Sequence, residues 1–125
     1  MTEQLLETTI AAFNQRDFAR AAEVSAQGLA TAQGADEGFW LGLMEAGEGF
    51  ALVAANKRVP AEKKLVGAME KLRNFGFRYE NFEVTSALAG VRQGLEEIRA
   101  VKDLHKKIFD LTLLPQLKLV AKADD

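Results

Sequence analysis

Carboxylates on the third predicted helix are the polar groups of this sequence best placed to do chemistry. Glu45 and Glu48 lie one turn apart in a segment that is otherwise almost entirely apolar, and Glu23 of the second predicted helix can face them. A carboxylate buried in such surroundings must be paired, hydrogen-bonded or protonated. One interpretation is that these side chains reach solvent at a bundle edge or accept hydrogen bonds from a buried helix end. The other is that they line a pocket for a small molecule or a metal.

The sequence offers little else for catalysis or metal binding. It has no cysteine and a single histidine, His105, which is followed by lysines and has no predictable carboxylate or serine partner. A closed zinc site needs several such ligands, whereas a site made only of oxygen ligands suits magnesium, calcium or manganese. No phosphate loop, dinucleotide fingerprint or metalloprotease helix motif occurs. We therefore predict a protein that is not an enzyme and that carries no cofactor and no resident metal.

Length and composition indicate one ordinary globular domain. The chain has 125 residues, of which 48% are hydrophobic and 27% charged, and a chain of this size can bury a substantial core.

The net charge of −2 gives no general attraction for nucleic acid. Residues 57–78 are locally basic, but such a stretch is more often a solvated helix face, and no exposed aromatic residues accompany it in a stacking pattern. The sequence therefore argues against a nucleic-acid partner.

Two features predict a cytoplasmic protein. The N-terminal residues are polar and acidic, where a secretory signal is basic and then apolar. The absence of cysteine fits a reducing compartment. No apolar run approaches the roughly 20 residues that a membrane-spanning helix needs, so we expect no membrane association.

Five segments carry apolar residues at the spacings of three and four that are typical of one helix face. The predicted helices cover about residues 3–13, 18–29, 39–55, 60–72 and 84–108. No segment shows the alternation of a long strand. The predicted fold class is therefore all-α, with residues 1–108 forming a single compact bundle of about five helices.

Local signals predict how these helices begin and pack. Asp17 can accept hydrogen bonds from the free N–H groups of the second helix. Pro60 suits the first position of the fourth helix, where its missing N–H does no harm. Gly42, Gly47 and Gly49 each weaken the third helix by about 1 kcal/mol relative to alanine. Their presence in such an apolar helix predicts close helix packing.

Aromatic residues cluster between the fourth and fifth predicted helices. The cluster consists of Phe75, Phe77, Tyr79 and Phe82, and Gly76 among them is expected to end the fourth helix. We predict that these four side chains cap the core.

Three stretches of the sequence resemble motifs of a known family. In the first, Phe13, Asn14, Phe18, Ala21 and Glu23 agree with a signature that runs roughly Phe-Asn-x-Gly-x-aromatic-x-x-Ala-His-Glu-x-Leu-Glu. The other two are residues 39–46, similar to an aromatic-Gly-Leu-Ile-Gln motif, and residues 67–72, similar to a Gly-Ala motif that opens a leucine-rich helix. The family is the bacterial and archaeal domain of unknown function 309, and the resemblance covers about residues 10–100.

This chain resembles a divergent member of that family. The family's histidine falls on Ala22 and its second glutamate on Ala26, so the chemistry of any site shared within the family does not carry over. The resemblance implies a small helical domain. It leaves the function open, because the family has no assigned biochemical role.

The last part of the chain, residues 109–125, is predicted to be an apolar extension outside the bundle. Pro115 biases the preceding residue away from helix, so the extension is expected to turn or run extended there. An uncovered surface of this kind is an aggregation hazard, and we therefore expect it to pack. The candidate contact residues are Phe109, Leu113, Leu114, Leu117 and Leu119.

Two arrangements of the extension are open from the sequence. It can fold back over the outer side of the first or fifth helix of its own bundle, or it can lie across a second subunit in a two-fold homodimer, which is the commonest symmetric assembly. We favour the homodimer. The function that follows is a helical domain acting through protein contacts, first with its own copy, and the alternative is the small-molecule or metal site at Glu23, Glu45 and Glu48.

Overall fold

The computed structural model describes residues 3–102 and 114–119. The helices are α1 (Glu3–Asn14), α2 (Phe18–Thr31), α3 (Ala35–Ala54), α4 (Arg58–Leu72) and α5 (Val84–Lys102). Between α4 and α5 lie a 3₁₀ turn (Arg73–Phe75) and a hairpin of two short antiparallel strands, β1 (Arg78–Tyr79) and β2 (Phe82–Glu83). The predicted all-α fold with five helices is therefore confirmed.

Helix α3 is the centre of the bundle. Its most extensive packing is with α4 on one side and α2 on the other, while α1 packs on α2 and α5 on α4. Phe39, Trp40 and Leu43 of α3 are fully or almost fully buried, and Phe50 is 4% exposed. A helix with so few polar side chains to present to water is expected in the middle of a bundle.

Glycines let the helices around α3 approach closely. A Cβ atom on Gly47 would lie 2.9 Å from the backbone nitrogen of Ala22, and one on Gly28 would lie 2.4 Å from the ring of Trp40. Gly42 and Gly49 face Leu72 and Leu65 of α4 in the same way, and added Cβ atoms would lie 2.9 Å and 2.7 Å from those side chains. The predicted role of the α3 glycines in close packing is confirmed.

The helix starts agree with the prediction for α2 and differ from it for α3 and α4. The side chain of Asp17 accepts a hydrogen bond of 3.2 Å from the backbone N–H of Arg20, as predicted for an N-cap. Helix α3 follows Gly34 directly and so begins earlier than residue 39. The prediction for Pro60 was wrong, since α4 begins at Arg58 and Pro60 is its third residue. A proline is tolerated there because the first four N–H groups of a helix have no partner within it.

The predicted aromatic cap forms around Phe39 but leaves one residue out. The ring of Phe39 lies 5.6 Å from Phe75, 4.8 Å from Tyr79 and 5.7 Å from Phe82, measured between centroids. Phe77 is 83% exposed, so its predicted place in the cap was wrong. The chain turns at Gly76, whose φ of 73° favours glycine, and Phe77 takes part through its carbonyl, which accepts from the N–H of Val84.

Tyr79 ties the hairpin to the start of α3. Its hydroxyl donates a hydrogen bond to the carboxylate of Asp36. This bond, together with burial and the negative charges of Asp36 and Glu80, raises the pKa of Tyr79 to about 12.

The apolar core continues into the C-terminal part of the chain. Leu114 and Leu117 belong to the same buried cluster as the helix side chains. The predicted boundary between residues 108 and 109 lies outside the described residues, as do His105 and the predicted continuation of α5 to residue 108.

Candidate functional site

An apolar groove opens where the corner between α1 and α2 meets α3 and the start of α5. Residues 114–119, which we call the tail segment, lie in this groove. The apolar walls of the groove are formed by Phe13, Phe18, Leu43, Phe50, Ala87 and Val91. The tail segment therefore packs against residues that are distant from it in the sequence.

Asn14, the last residue of α1, contacts the main chain of the tail segment twice. Its Nδ2 donates to the carbonyl oxygen of Leu117 at 3.1 Å, and its Oδ1 accepts from the N–H of the same residue at 2.8 Å. A neighbouring β-strand would offer the same donor and acceptor pair. The side-chain amide therefore takes the place of a strand partner.

Arg16 holds the beginning of the tail segment. Its Nη2 donates to the carbonyl oxygen of Leu114 at 2.6 Å. The backbone of Arg16 is left-handed, with a φ of 64°, which costs about 1–2 kcal/mol for a residue other than glycine. Backbone strain of this kind persists only where the surrounding contacts fix it, and it is concentrated at functional sites.

The end of the tail segment adds to the edge of the hairpin. The N–H of Glu83 donates to the carbonyl oxygen of Lys118 at 2.9 Å, and Leu119 forms an antiparallel bridge with Phe82. Ser86 completes the contact, because its Oγ accepts from the N–H of Lys118 at 3.1 Å while donating to the carbonyl of Glu83 at 2.6 Å. The tail segment thus adds a single bridge to the edge of the two-stranded sheet.

Two leucines anchor the tail segment in the groove. Leu114 and Leu117 are 5% and 9% exposed, whereas Pro115, Gln116 and Lys118 point to solvent and Leu119 is half-buried. A cavity of about 20 Å³ remains beside them, which is room for a single water molecule. The groove therefore matches the shape of two leucine side chains placed three residues apart.

Two of the three carboxylates of the predicted site form ion pairs. Glu45 contacts Lys71 at 2.5 Å and Glu48 contacts Lys64 at 3.3 Å, so both are matched by lysines of α4, and Glu23 is exposed on α2. Within the part of the chain that the structure describes, no three acidic, histidine or cysteine side chains form a group that could hold a metal ion. The small-molecule alternative stays a prediction.

These ion pairs neutralise part of the positive charge of the basic stretch, residues 57–78. Lys64 and Lys71 are occupied by carboxylates of α3, and Glu62 on the same helix contacts Arg99 of α5 at 3.6 Å. Lys63 is left exposed. Two of the lysines of α4 therefore form ion pairs that connect α4 to α3.

The five candidate contact residues of the extension have different places. Leu114, Leu117 and Leu119 lie against their own bundle, as the first of the two predicted arrangements has it, and Leu114 and Leu117 offer little exposed surface while they stay there. Phe109 and Leu113 lie outside the described residues. The homodimer stays a prediction.

Sequence reasoning did not find the polar residues of the groove. Asn14 and Arg16 belong to a polar run that indicates only a break between two helices, and Ser86 has no nucleophile signature. Each of these side chains forms hydrogen bonds with the main chain of the tail segment. For Asn14 and Arg16, that segment lies about a hundred residues further along the sequence. No local pattern encodes such a partner.

Comparison with known proteins gives no relative from which a function could be transferred. No family model, no curated protein and no solved structure matches the chain. The resemblance to domain of unknown function 309 accordingly stays a prediction. None of the helices that the structure describes is long and apolar enough to cross a membrane.

Proposed function

We propose that this protein is a non-enzymatic interaction domain that forms a two-fold homodimer by exchanging tail segments. In such a dimer the tail segment of each copy occupies the groove of the other. The observation that carries the proposal is the way in which the groove holds the segment, through main-chain hydrogen bonds and two leucine side chains. Adding an extended segment to a sheet edge is a common mode of protein recognition.

The geometry of the contact supports exchange because every contact can form equally within one chain or between two. Residues 103–113 join α5 to the tail segment, and a link of this length spans at most about 40 Å. That reach is comparable with the diameter of a domain of this size. Exchange of identical elements is an established route to dimers, since it replaces each contact with an identical one.

Concentration sets the balance between the two forms. A segment on a short linker has an effective concentration of the order of millimolar at its own groove, so exchange competes with a strong intramolecular contact. We therefore expect the dimer fraction to increase steeply between about 10 µM and 1 mM protein. Light scattering after size-exclusion chromatography measures this fraction directly.

A complementation experiment tests the exchange itself. One full-length chain carries Asn14→Ala and Arg16→Ala, which damage the groove, and a second carries Leu114→Ala and Leu117→Ala, which damage the tail segment. Neither is expected to dimerise alone. Mixed together they should associate, because the intact tail of the first fits the intact groove of the second.

Gln116→Ala, which changes an exposed residue of the tail segment, is the matched control and should leave association unchanged. A wild-type chain that stays monomeric at all concentrations, together with two variants that fail to associate when mixed, would refute the homodimer.

A further inference from the structure

We infer that the groove is a general binding site for extended peptides of another polypeptide chain, with leucine at the first and fourth positions and an aliphatic residue at the sixth. The inference rests on the groove described for the proposed function, and it does not require the homodimer. It names the chemistry of the partner as an extended Leu-x-x-Leu-x-Leu segment.

Main-chain atoms of the occupant supply every hydrogen bond that the structure shows between groove and tail segment. Asn14 uses the N–H and carbonyl of Leu117, Arg16 uses the carbonyl of Leu114, and Glu83 and Ser86 use the carbonyl and N–H of Lys118. Any polypeptide that adopts the backbone conformation of residues 114–118 presents these groups in the same places, since every residue other than proline carries one N–H and one carbonyl. The polar contacts therefore select a conformation and leave the sequence free.

Side-chain burial supplies the selectivity. Only the first and fourth side chains of the segment are buried, and both lie against the apolar walls of the groove. A polar or charged replacement there would lose its hydration without gaining a hydrogen-bond partner. The second, third and fifth positions, which are Pro115, Gln116 and Lys118 here, face solvent. Leu119 at the sixth position is half-buried beside Phe82, so it adds a weaker preference.

The polar residues of the groove come from rigid parts of the domain. Asn14 ends α1, Glu83 lies in β2, and Ser86 lies in the first turn of α5. The remaining donor, the guanidinium of Arg16, also bonds the carbonyl oxygen of Phe13 at the end of α1, at 3.4 Å. A site whose donors and acceptors are held in place before the peptide arrives loses less conformational entropy on binding.

The chain's own tail segment competes with any external peptide. Because the tail segment is tethered, its effective concentration at the groove is of the order of millimolar. An external peptide therefore binds the wild-type chain only weakly. It should bind strongly when the tethered segment has lost its two leucines and the groove is unchanged.

The experiment uses a fluorescent synthetic peptide with the sequence of residues 112–121, titrated into full-length protein and followed by fluorescence anisotropy. We expect the Leu114→Ala/Leu117→Ala chain to bind it at least about 10-fold more tightly than the wild-type chain does. Adding Asn14→Ala to that chain should weaken binding by about 10-fold, the effect of losing hydrogen bonds to a buried partner.

Matched peptides test the sequence preference. A peptide with alanine at both leucine positions should bind at least 10-fold more weakly, while one with alanine in place of Gln116 should bind about as well as the original because that position is exposed. Equal binding of the peptide that lacks the leucines would overturn the inference, and so would no binding of the original peptide to the double variant.

Circular dichroism of each variant checks that it is folded. If the double alanine chain does not fold, Lys118→Pro provides a second way to weaken the tethered segment, because it removes the N–H that Ser86 accepts and keeps both leucines. The peptide should then bind this chain more tightly than it binds the wild type, and an unchanged affinity would count against the inference.

Light scattering on the same samples separates the two proposals. A monomeric wild-type chain whose double variant binds the peptide would refute the homodimer and support the peptide site. A dimeric chain whose folded variants do not bind the peptide would refute the peptide site and leave self-association to another surface.

Discussion

Helix α3 and the tail segment are both covered by the rest of the domain, but they are held in different ways. Helix α3 contacts its neighbours through close side-chain packing, in which glycines such as Gly47 leave no room for even one additional carbon. The tail segment is held by hydrogen bonds to its main chain and by two leucines. A closely packed helix surface fits only the side chains of its own neighbour. A groove that forms hydrogen bonds with a main chain can bind many peptide sequences that have the same backbone conformation. This difference is the reason for proposing the groove, rather than the surface of α3, as the site of interaction.

The largest expected effect is on the packing of α3. Leu43 is fully buried at the centre of the bundle, so Leu43→Ala should lower the free energy of unfolding by about 2–5 kcal/mol. Urea denaturation followed by circular dichroism measures this change. Lys63→Ala, at an exposed position of α4, is the control and should alter stability by less than about 0.5 kcal/mol. Similar losses in both variants would show that the assigned buried and exposed faces are wrong.

Gly47→Val tests the close approach of α2 and α3. The new side chain would meet the backbone of Ala22, which cannot rotate away as a flexible side chain can. We expect a loss of about 1–3 kcal/mol, which is typical of overpacked cores. Gly90→Ala is the control, since a Cβ atom there meets nothing within 4 Å, and it should be neutral or slightly stabilising because alanine favours a helix more than glycine does. A loss at Gly90 as large as that at Gly47 would mean that the contact with Ala22 does not determine the result.

Leu117→Ala should have a smaller effect on stability than Leu43→Ala and a larger effect on association. Its side chain lies at the rim of the core and is 9% exposed, so its surroundings can relax and water can fill the space. We expect a loss of about 2 kcal/mol, at the low end for buried leucines. Dimerisation measured by light scattering should decrease in parallel. A stability loss equal to that of Leu43→Ala would remove the distinction between packed core and groove.

Tyr79 gives the smallest effect, and it depends on pH. Because the pKa of Tyr79 is raised from 10.0 to about 12, the folded state favours the neutral phenol. The stability from its bond to Asp36 is therefore fully present below pH 10 and is lost as the pH rises through about 12. The melting temperature of the wild type should fall more steeply over this pH range than the melting temperature of Tyr79→Phe. Parallel curves would exclude Tyr79 as the cause.

The helices could be predicted from the sequence because the pattern that encodes them is local. Leu88 and Leu95 of α5, which follow the spacings of three and four that predict a helix face, are buried, and Asp17 caps α2 as predicted. The hairpin could not be predicted in the same way. Its strands have two residues each, too few to show the alternation that marks a strand.

The groove could be predicted only in part. The apolar character of Leu114 and Leu117 indicates that this stretch must be covered, and one of the two predicted arrangements placed it on its own bundle. The sequence cannot choose between one chain and two, because the same apolar contacts satisfy either. Nor does it reveal Asn14, since a polar residue at a helix end carries no mark of the main chain it will bond.

The separation of 103 residues between Asn14 and Leu117 has a consequence for the order of events during folding. Contacts this distant in sequence close the longest loops and therefore form late, after the local helices have packed. We therefore expect the groove to be open in the transition state for folding. Leu117→Ala should accordingly leave the folding rate almost unchanged and accelerate unfolding. During synthesis the groove is likewise empty until residue 119 has left the ribosome, and in that interval it is exposed to the segments of neighbouring chains.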